Sequence, residues 1–273
     1  MSKLTPPDLL EFSPWQYWIA RVVPMLYITT LTLWLPTILT KLFGGSELSA
    51  IQEQKLHQHL RSISIEILAH GEPIGAGVLL AKQQRVYTVI TNAHVIQSAS
   101  APFQLQTPDG QIYAAALVTP PIGQNRDLSM LRFQSLDRTY ITAKLATVSP
   151  RSGDRVWSAG FPLKRTNQTL EDAPGAVSQP NIISGQIVQI LPIPIAGGYT
   201  VGSDLTIEHG MSGGALIDRS GKLVGINGVQ VKSLWNNPEI LEDGSKVGDV
   251  LHHQIKNSHW AIPSNFIKDF ARL

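Results

Sequence analysis

The sequence predicts an all-β fold, a sandwich or barrel built from many short strands. Two observations carry the prediction. From about residue 62 apolar residues alternate with polar ones at period two, and many short strand-like stretches recur at regular spacing between turn formers. A third observation sets the N-terminus apart: from Val22 to Thr40 the chain carries no charge at all.

The strands start where Ile63, Ile65 and Ile67 alternate with Ser62, Ser64 and Glu66, a pattern that predicts a strand with one buried face. Further strands are expected at Gly77 to Ala81, Arg85 to Ile90, Phe103 to Thr107, Gln111 to Val118 and Leu128 to Phe133. Turns such as Thr107-Pro108-Asp109-Gly110 separate them. A second series is expected near Asp154 to Ala159, Ile182 to Leu191, Tyr199 to Ile207, Ala215 to Ile217, Leu223 to Val229 and Trp260 to Ile262. Between them, Leu163 to Pro180 reads as a polar surface loop. Ser264 is placed to cap a closing helix whose apolar stripe is Phe266, Ile267 and Phe270. His252-His253 is expected in an exposed loop.

One stretch carries chemistry. His209-Gly210-Met211-Ser212-Gly213-Gly214 has the form Gly-x-Ser-Gly-Gly, followed by an apolar run. The glycines allow a sharp turn that presents the serine oxygen beside nearby N–H groups. Acyl transfer needs that geometry: a serine hydroxyl attacks only when a base takes its proton, and the resulting oxyanion needs fixed donors. The N–H groups of Gly210 and Ser212 are the candidate donors. A plain Gly-Gly turn between strands is the bland alternative, so the reading depends on a base and a carboxylate upstream. Thr91-Asn92-Ala93-His94-Val95-Ile96 supplies the base, and Arg126-Asp127-Leu128-Ser129 the carboxylate. The order His94, Asp127, Ser212 is one of the known chain orders of a serine triad.

With these motifs the sequence resembles the trypsin-like serine proteases of the chymotrypsin fold, in particular their cysteine-free bacterial HtrA/Deg branch. The resemblance also includes Gly75-Ala76-Gly77-Val78-Leu79, Ser184-Gly185-Gln186-Ile187, Gly225-Ile226-Asn227 and Trp260-Ala261-Ile262-Pro263-Ser264-Asn265, in register from about residue 61 onward. It implies two packed six-stranded antiparallel β-barrels, residues 61–145 and 146–263, with residues 264–273 as a C-terminal helix. His94 and Asp127 would stand on the first barrel and Ser212 on the second. It implies a serine endopeptidase acting on polypeptides without a cofactor or metal. A latent or inactive trypsin-fold module that binds a peptide or partner is the alternative. By the same resemblance the substrate pocket is lined by Thr206, Ile207, Gly228, Val229 and Gln230. No acid stands at Thr206, so cleavage after Arg or Lys is not expected; Ile207 and Val229 point to a modest apolar side chain. Met211 stands where digestive relatives carry an aspartate that pairs with a newly cut N-terminus, so activation by trimming is not expected. HtrA proteases usually continue into a PDZ domain; the expectation here is a protease domain without one.

The uncharged run after residues 1–21 is expected to form an uncleaved transmembrane anchor over residues 22–43. As a helix it reaches nearly 30 Å, close to the hydrocarbon thickness of a bilayer. Trp15, Tyr17 and Trp18 suit the interface on one side. A cleaved signal peptide is the rival, but Thr40-Lys41-Leu42-Phe43 lacks its small-residue cleavage signature. Lys3 and Arg21 balance Lys41 and Lys55, so charge does not orient the anchor; the relatives imply an extracytoplasmic protease domain. Residues 44–60 read as an amphipathic linker helix with Leu48, Ile51, Leu56 and Leu60 on one side and with solvated His57 and His59. A net charge of +2, with no Lys/Arg run, gives no footprint for nucleic acid. There is no cysteine, hence no disulfide.

Overall fold

A computed structural model describes residues 45–118, 126–163, 177–228 and 241–272. The expected anchor at 22–43, most of the Leu163–Pro180 loop, Val229 and Gln230 lie outside the described residues. Among the described residues, no helix is long and apolar enough to cross a membrane.

Helix α1 runs Gly45–Ile63. The first barrel follows: β1 (Ser64–Ala69), β2 (Glu72–Gln83), β3 (Val86–Thr91), β4 (Phe103–Gln106), β5 (Ile112–Val118) and β6 (Ser129–Gln134). These close in the order β1-β2-β3-β6-β5-β4, with every pair antiparallel. The second barrel contains β7 (Arg155–Gly160), β8 (Asn181–Ile195), β9 (Tyr199–Ser203), β10 (Ala215–Asp218), β11 (Leu223–Asn227) and β12 (His259–Pro263). It closes as β10-β11-β12-β9-β8-β7 and is likewise antiparallel. Short helix α2 (Ala93–Gln97) follows β3, α3 (Asp249–Asn257) precedes β12, and α4 (Ser264–Ala271) ends the described chain.

The period-two strands have a more demanding environment than a half-exposed sheet. Where the barrels abut, one strand face fills the barrel and the other fills the seam. On β2, Leu79 belongs to the first barrel's interior with Ile65, Val89 and Leu131, while Val78 and Leu80 face the core shared with Trp157, Ala215 and Trp260. On β11, Val224 fills the second barrel with Val201 and Leu216, while Leu223 and Ile226 join the shared core. Closure removes the sheet edges, and the seam buries the outer faces that a lone barrel would leave wet.

That packing corrects several expectations. β1 begins at Ser64, because Ile63 completes α1 and joins Leu56 and Leu60 in the shared core. All of β1 is buried rather than one face, Glu66 included. Burial raises the Glu66 carboxyl above its ordinary value, partly offset by a hydrogen bond from Ser178. On α1, Ile51 is half exposed, so the buried stripe is Leu56, Leu60 and Ile63. His59 is half-buried beside Gly221, and desolvation lowers its imidazole pKa. His252 and His253 sit on α3, not in a loop. Ser264 caps nothing: β12 runs directly into α4, Pro263 holds the cap position, and Ser264 Oγ donates to Ala146 O at 3.2 Å. The helix stripe does bury Ile267 and Phe270.

Candidate active site

His94 stands on α2 immediately after β3, and the helix is pinned by Val95 and Ile96 in the first barrel's interior. Asp127 opens β6. Its carboxylate accepts twice from the same residue: Oδ1 from the His94 backbone N–H at 2.8 Å, and Oδ2 from His94 Nδ1 at 2.6 Å. Because Nδ1 faces a carboxylate it carries the proton, which leaves Nε2 with a free lone pair in the neutral ring. His94 Nε2 is buried and has no hydrogen-bond partner among the described residues.

Ser212 lies on the tight turn that enters β10 and is 3% exposed. The turn is held from both barrels. Ala76 N–H on β2 donates to Ser212 O at 2.9 Å, Gly213 N–H donates to Asn227 O at 2.8 Å, and Asn227 N–H donates to Gly214 O at 3.0 Å. Asn227 Nδ2 also donates to Ser158 Oγ, tying the turn to β7. Gly210 has φ +95 and Gly213 φ +84, values that L side chains rarely adopt. With that winding, the N–H groups of Gly210 and Ser212 donate to nothing among the described residues, although Met211 and Gly214 N–H between and beside them are both paired. Two free backbone donors on one turn, one of them the serine's own, form a nest that suits an anion. Met211 itself is fully buried.

Ser212 Oγ is also buried and without a partner among the described residues, so no hydrogen bond joins it to His94 in this structure. The two segments nevertheless meet at Gly75: a Cβ there would stand 2.7 Å from Val95 Cγ1 and 3.4 Å from Ser212 O. Such bonds are often long in unliganded sites and tighten when substrate arrives.

Of the expected pocket residues, Thr206 is exposed, Ile207 packs partly against the second barrel's interior, and Gly228 is buried with its N–H donating to Trp260 O at 2.8 Å. Val229 and Gln230 lie outside the described residues. A separate cleft of about 310 Å³, lined by Val148, Pro150, Arg155, Asp218 and Val224 among others, includes none of the predicted site residues. Among the described residues, no cluster of His, Asp or Glu could hold a metal ion.

Sequence reasoning missed two groups around Asp127. Tyr199, on β9 of the other barrel, donates its O–H to Asp127 Oδ2 at 2.5 Å. Arg126 pairs with Glu242 at 2.6 Å and lies over the Phe266 ring, 3.9 Å from its centroid. Neither carries a local signal: Tyr199 is separated from Asp127 by 72 residues, and Glu242 from Arg126 by 116.

Known proteins resemble this chain in sequence. Residues 75–226 match the trypsin-like peptidase domain. The chain is 28% identical over 232 residues to the serine protease Do-like HtrA of Bacillus subtilis, covering 84% of this chain and 44% of that protein. It is 31% identical over 154 residues to the serine endoprotease DegS of Escherichia coli K12, covering 56% of this chain and 39% of DegS. With the mitochondrial serine protease HTRA2 of Bos taurus it shares 23% over 172 residues, 63% of this chain and 35% of that protein. The matched region spans less than half the length of each relative.

Proposed function

Because this chain belongs to the trypsin-like peptidase family, we propose that it is a serine endopeptidase hydrolysing polypeptides, with Ser212, His94 and Asp127 as its catalytic triad. The observation that carries the proposal is the double grip of Asp127 on His94, at Nδ1 and at the backbone N–H, which leaves Nε2 bare for a proton. Ser212 Oγ attacks the peptide carbonyl carbon as its proton passes to His94 Nε2. The oxyanion accepts from the N–H groups of Gly210 and Ser212, and Asp127 stabilises the imidazolium. His94 then protonates the leaving amine, and a water deprotonated by the same nitrogen hydrolyses the acyl-enzyme.

A fluorophosphonate probe tests the assignment on the full chain, since it labels a serine only where base and oxyanion donors are assembled. Labelling at Ser212 is the expected result. A folded protein that stays unlabelled would sink it. The unmade Ser212–His94 hydrogen bond favours one alternative, a latent site or a trypsin-fold module that binds a peptide without cleaving it. In that case, labelling would appear only after a peptide or partner is added, or never.

The pocket reading extends the proposal. Thr206, Ile207, Gly228, Val229 and Gln230 would receive a modest apolar side chain, because no acid stands at Thr206 to pair a basic one. Cleavage of a peptide library is expected to favour small or medium apolar residues before the scissile bond; a profile dominated by Arg, Lys or acids would rule the pocket out.

The proposal also includes a single-pass anchor at 22–43 and a linker at 44–60, with the protease domain at 61–273 on the extracytoplasmic side. Its support is the charge-free run from Val22 to Thr40 beside a Trp/Tyr flank. In sealed membranes the full-length chain is expected to resist alkaline extraction, and its catalytic domain is expected to be digested only by protease added on the extracytoplasmic side. Release by alkali, or digestion from the cytoplasmic side, would refute it.

A further inference from the structure

Asp127 belongs to the first barrel, yet much of what holds it comes from the second. Its backbone N–H donates to Gly197 O at 2.9 Å, and Arg126 beside it bridges to Gly197 in parallel register. Two residues on, where β9 begins, Tyr199 donates its O–H to Asp127 Oδ2, the same oxygen that faces His94 Nδ1. The turn between β8 and β9 therefore grips the carboxylate residue at both backbone and side chain.

Tyr199 is built to stay in that role. Its side chain is fully buried in the core shared by the two barrels. Asn92 Nδ2 donates to the Tyr199 oxygen at 3.3 Å and to Asp127 O at 2.9 Å, so it braces both partners. The ring lies flush against Gly228, where any Cβ would overlap ring atoms. Burial, followed by the neighbouring Asp127 charge, raises the phenol well above its ordinary pKa, so it remains a donor.

We propose that Tyr199 is a positioning residue that locks the Asp127 carboxylate, so that His94 is correctly oriented only when the two barrels are in register. The inference rests on the triad reading given above. Among the described residues three donors hold the carboxylate: His94 N–H on Oδ1, and His94 Nδ1–H and Tyr199 O–H on Oδ2. Two of the three belong to His94 on α2, so among the described residues the donor independent of the histidine is the tyrosine. Without it the carboxylate and imidazole can swing together, and Nε2 loses its aim. A barrel-to-barrel clamp placed on the orienting acid makes assembly of the interface a precondition for catalysis.

Tyr199→Phe isolates the hydroxyl, since the ring that packs against Gly228 is retained. The expected result is a fall in kcat, and in the fluorophosphonate labelling rate constant, of about tenfold or more, the scale of a hydrogen bond to a charged group, with KM unchanged. In the Asp127→Asn background the same substitution should cost little further, because the tyrosine acts through that carboxylate. The low-field proton resonance of His94 Nδ1–H is expected to be sharp in the wild type and broadened or lost in Tyr199→Phe, as the loosened pair exchanges with water. An unchanged rate together with an unchanged resonance, or a rate loss that persists in full in the Asp127→Asn background, would overturn the proposal. If the wild-type chain is never labelled, the hydrolase reading fails, while the resonance comparison still decides the role of Tyr199.

Discussion

Ser212→Ala is expected to abolish fluorophosphonate labelling and to lower kcat by a factor on the order of 10⁶, with little change in thermal stability. His94→Ala should cost as much, and the double substitution no more than either alone. Non-additivity follows from the chemistry: without a base the hydroxyl is not a useful nucleophile, and without the hydroxyl the base has no proton to take. A residual rate above that of water is expected to survive, carried by the N–H groups of Gly210 and Ser212. Steady-state kinetics of the three variants on one peptide substrate check this. Losses that multiply across the two sites would show that Ser212 and His94 do not act as one unit.

Gly213→Ala is expected to be the most damaging small substitution near the site. Gly213 has φ +84, and a Cβ there would overlap Ala76 O and Thr91 Oγ1, which are themselves joined by a 2.7 Å hydrogen bond on the first barrel. The residue thus sits where the serine turn of one barrel touches the backbone of the other. Left-handed backbone costs an alanine about 1–2 kcal/mol, and overpacking a rigid site adds about 1–3 kcal/mol. For a domain of this size the sum corresponds to a fall in Tm on the order of 10 °C. Gly153→Ala is the control, because Gly153 has φ +91 but nothing within 4 Å of a Cβ. It should show the backbone cost alone. Equal shifts in Tm for the two variants by calorimetry would mean that the contact with Ala76 is yielding, and that the turn is not wedged between the barrels.

Much of this organisation was legible in the sequence, and for identifiable reasons. The strands announce themselves because a strand's alternation is local: β3 and β6 read correctly from Tyr87, Val89 and Leu131 without knowledge of their partners. The serine turn is legible because only glycine tolerates the backbone angles that Gly210 and Gly213 adopt, so the constraint is written into residue type. Neighbours in short motifs mark His94 and Asp127, and the structure joins the two at 2.6 Å.

The misreadings share a cause. Alternation puts Ile63 on a strand, yet it is the last residue of α1, because both states bury it and only contact with Leu56 and Leu60 in the shared core selects the helix. Ser264 has the composition of a cap, but β12 enters α4 without a break, so the serine turns instead to Ala146 O. His252 and His253 gave no local sign of α3.

By itself the sequence determined the strand content, the glycine-framed serine, the order of the three candidate catalytic residues and the charge-free N-terminal run, because each depends on residues a few positions apart. Only the tertiary structure decided which strand faces fill the barrels and which fill the seam, and that Asp127 of one barrel is gripped by Gly197 and Tyr199 of the other. Those contacts join residues about 70 positions apart in the chain. Their energy exists only once closure of both barrels has brought the β8–β9 turn against the start of β6, and no local pattern records which turn will arrive there.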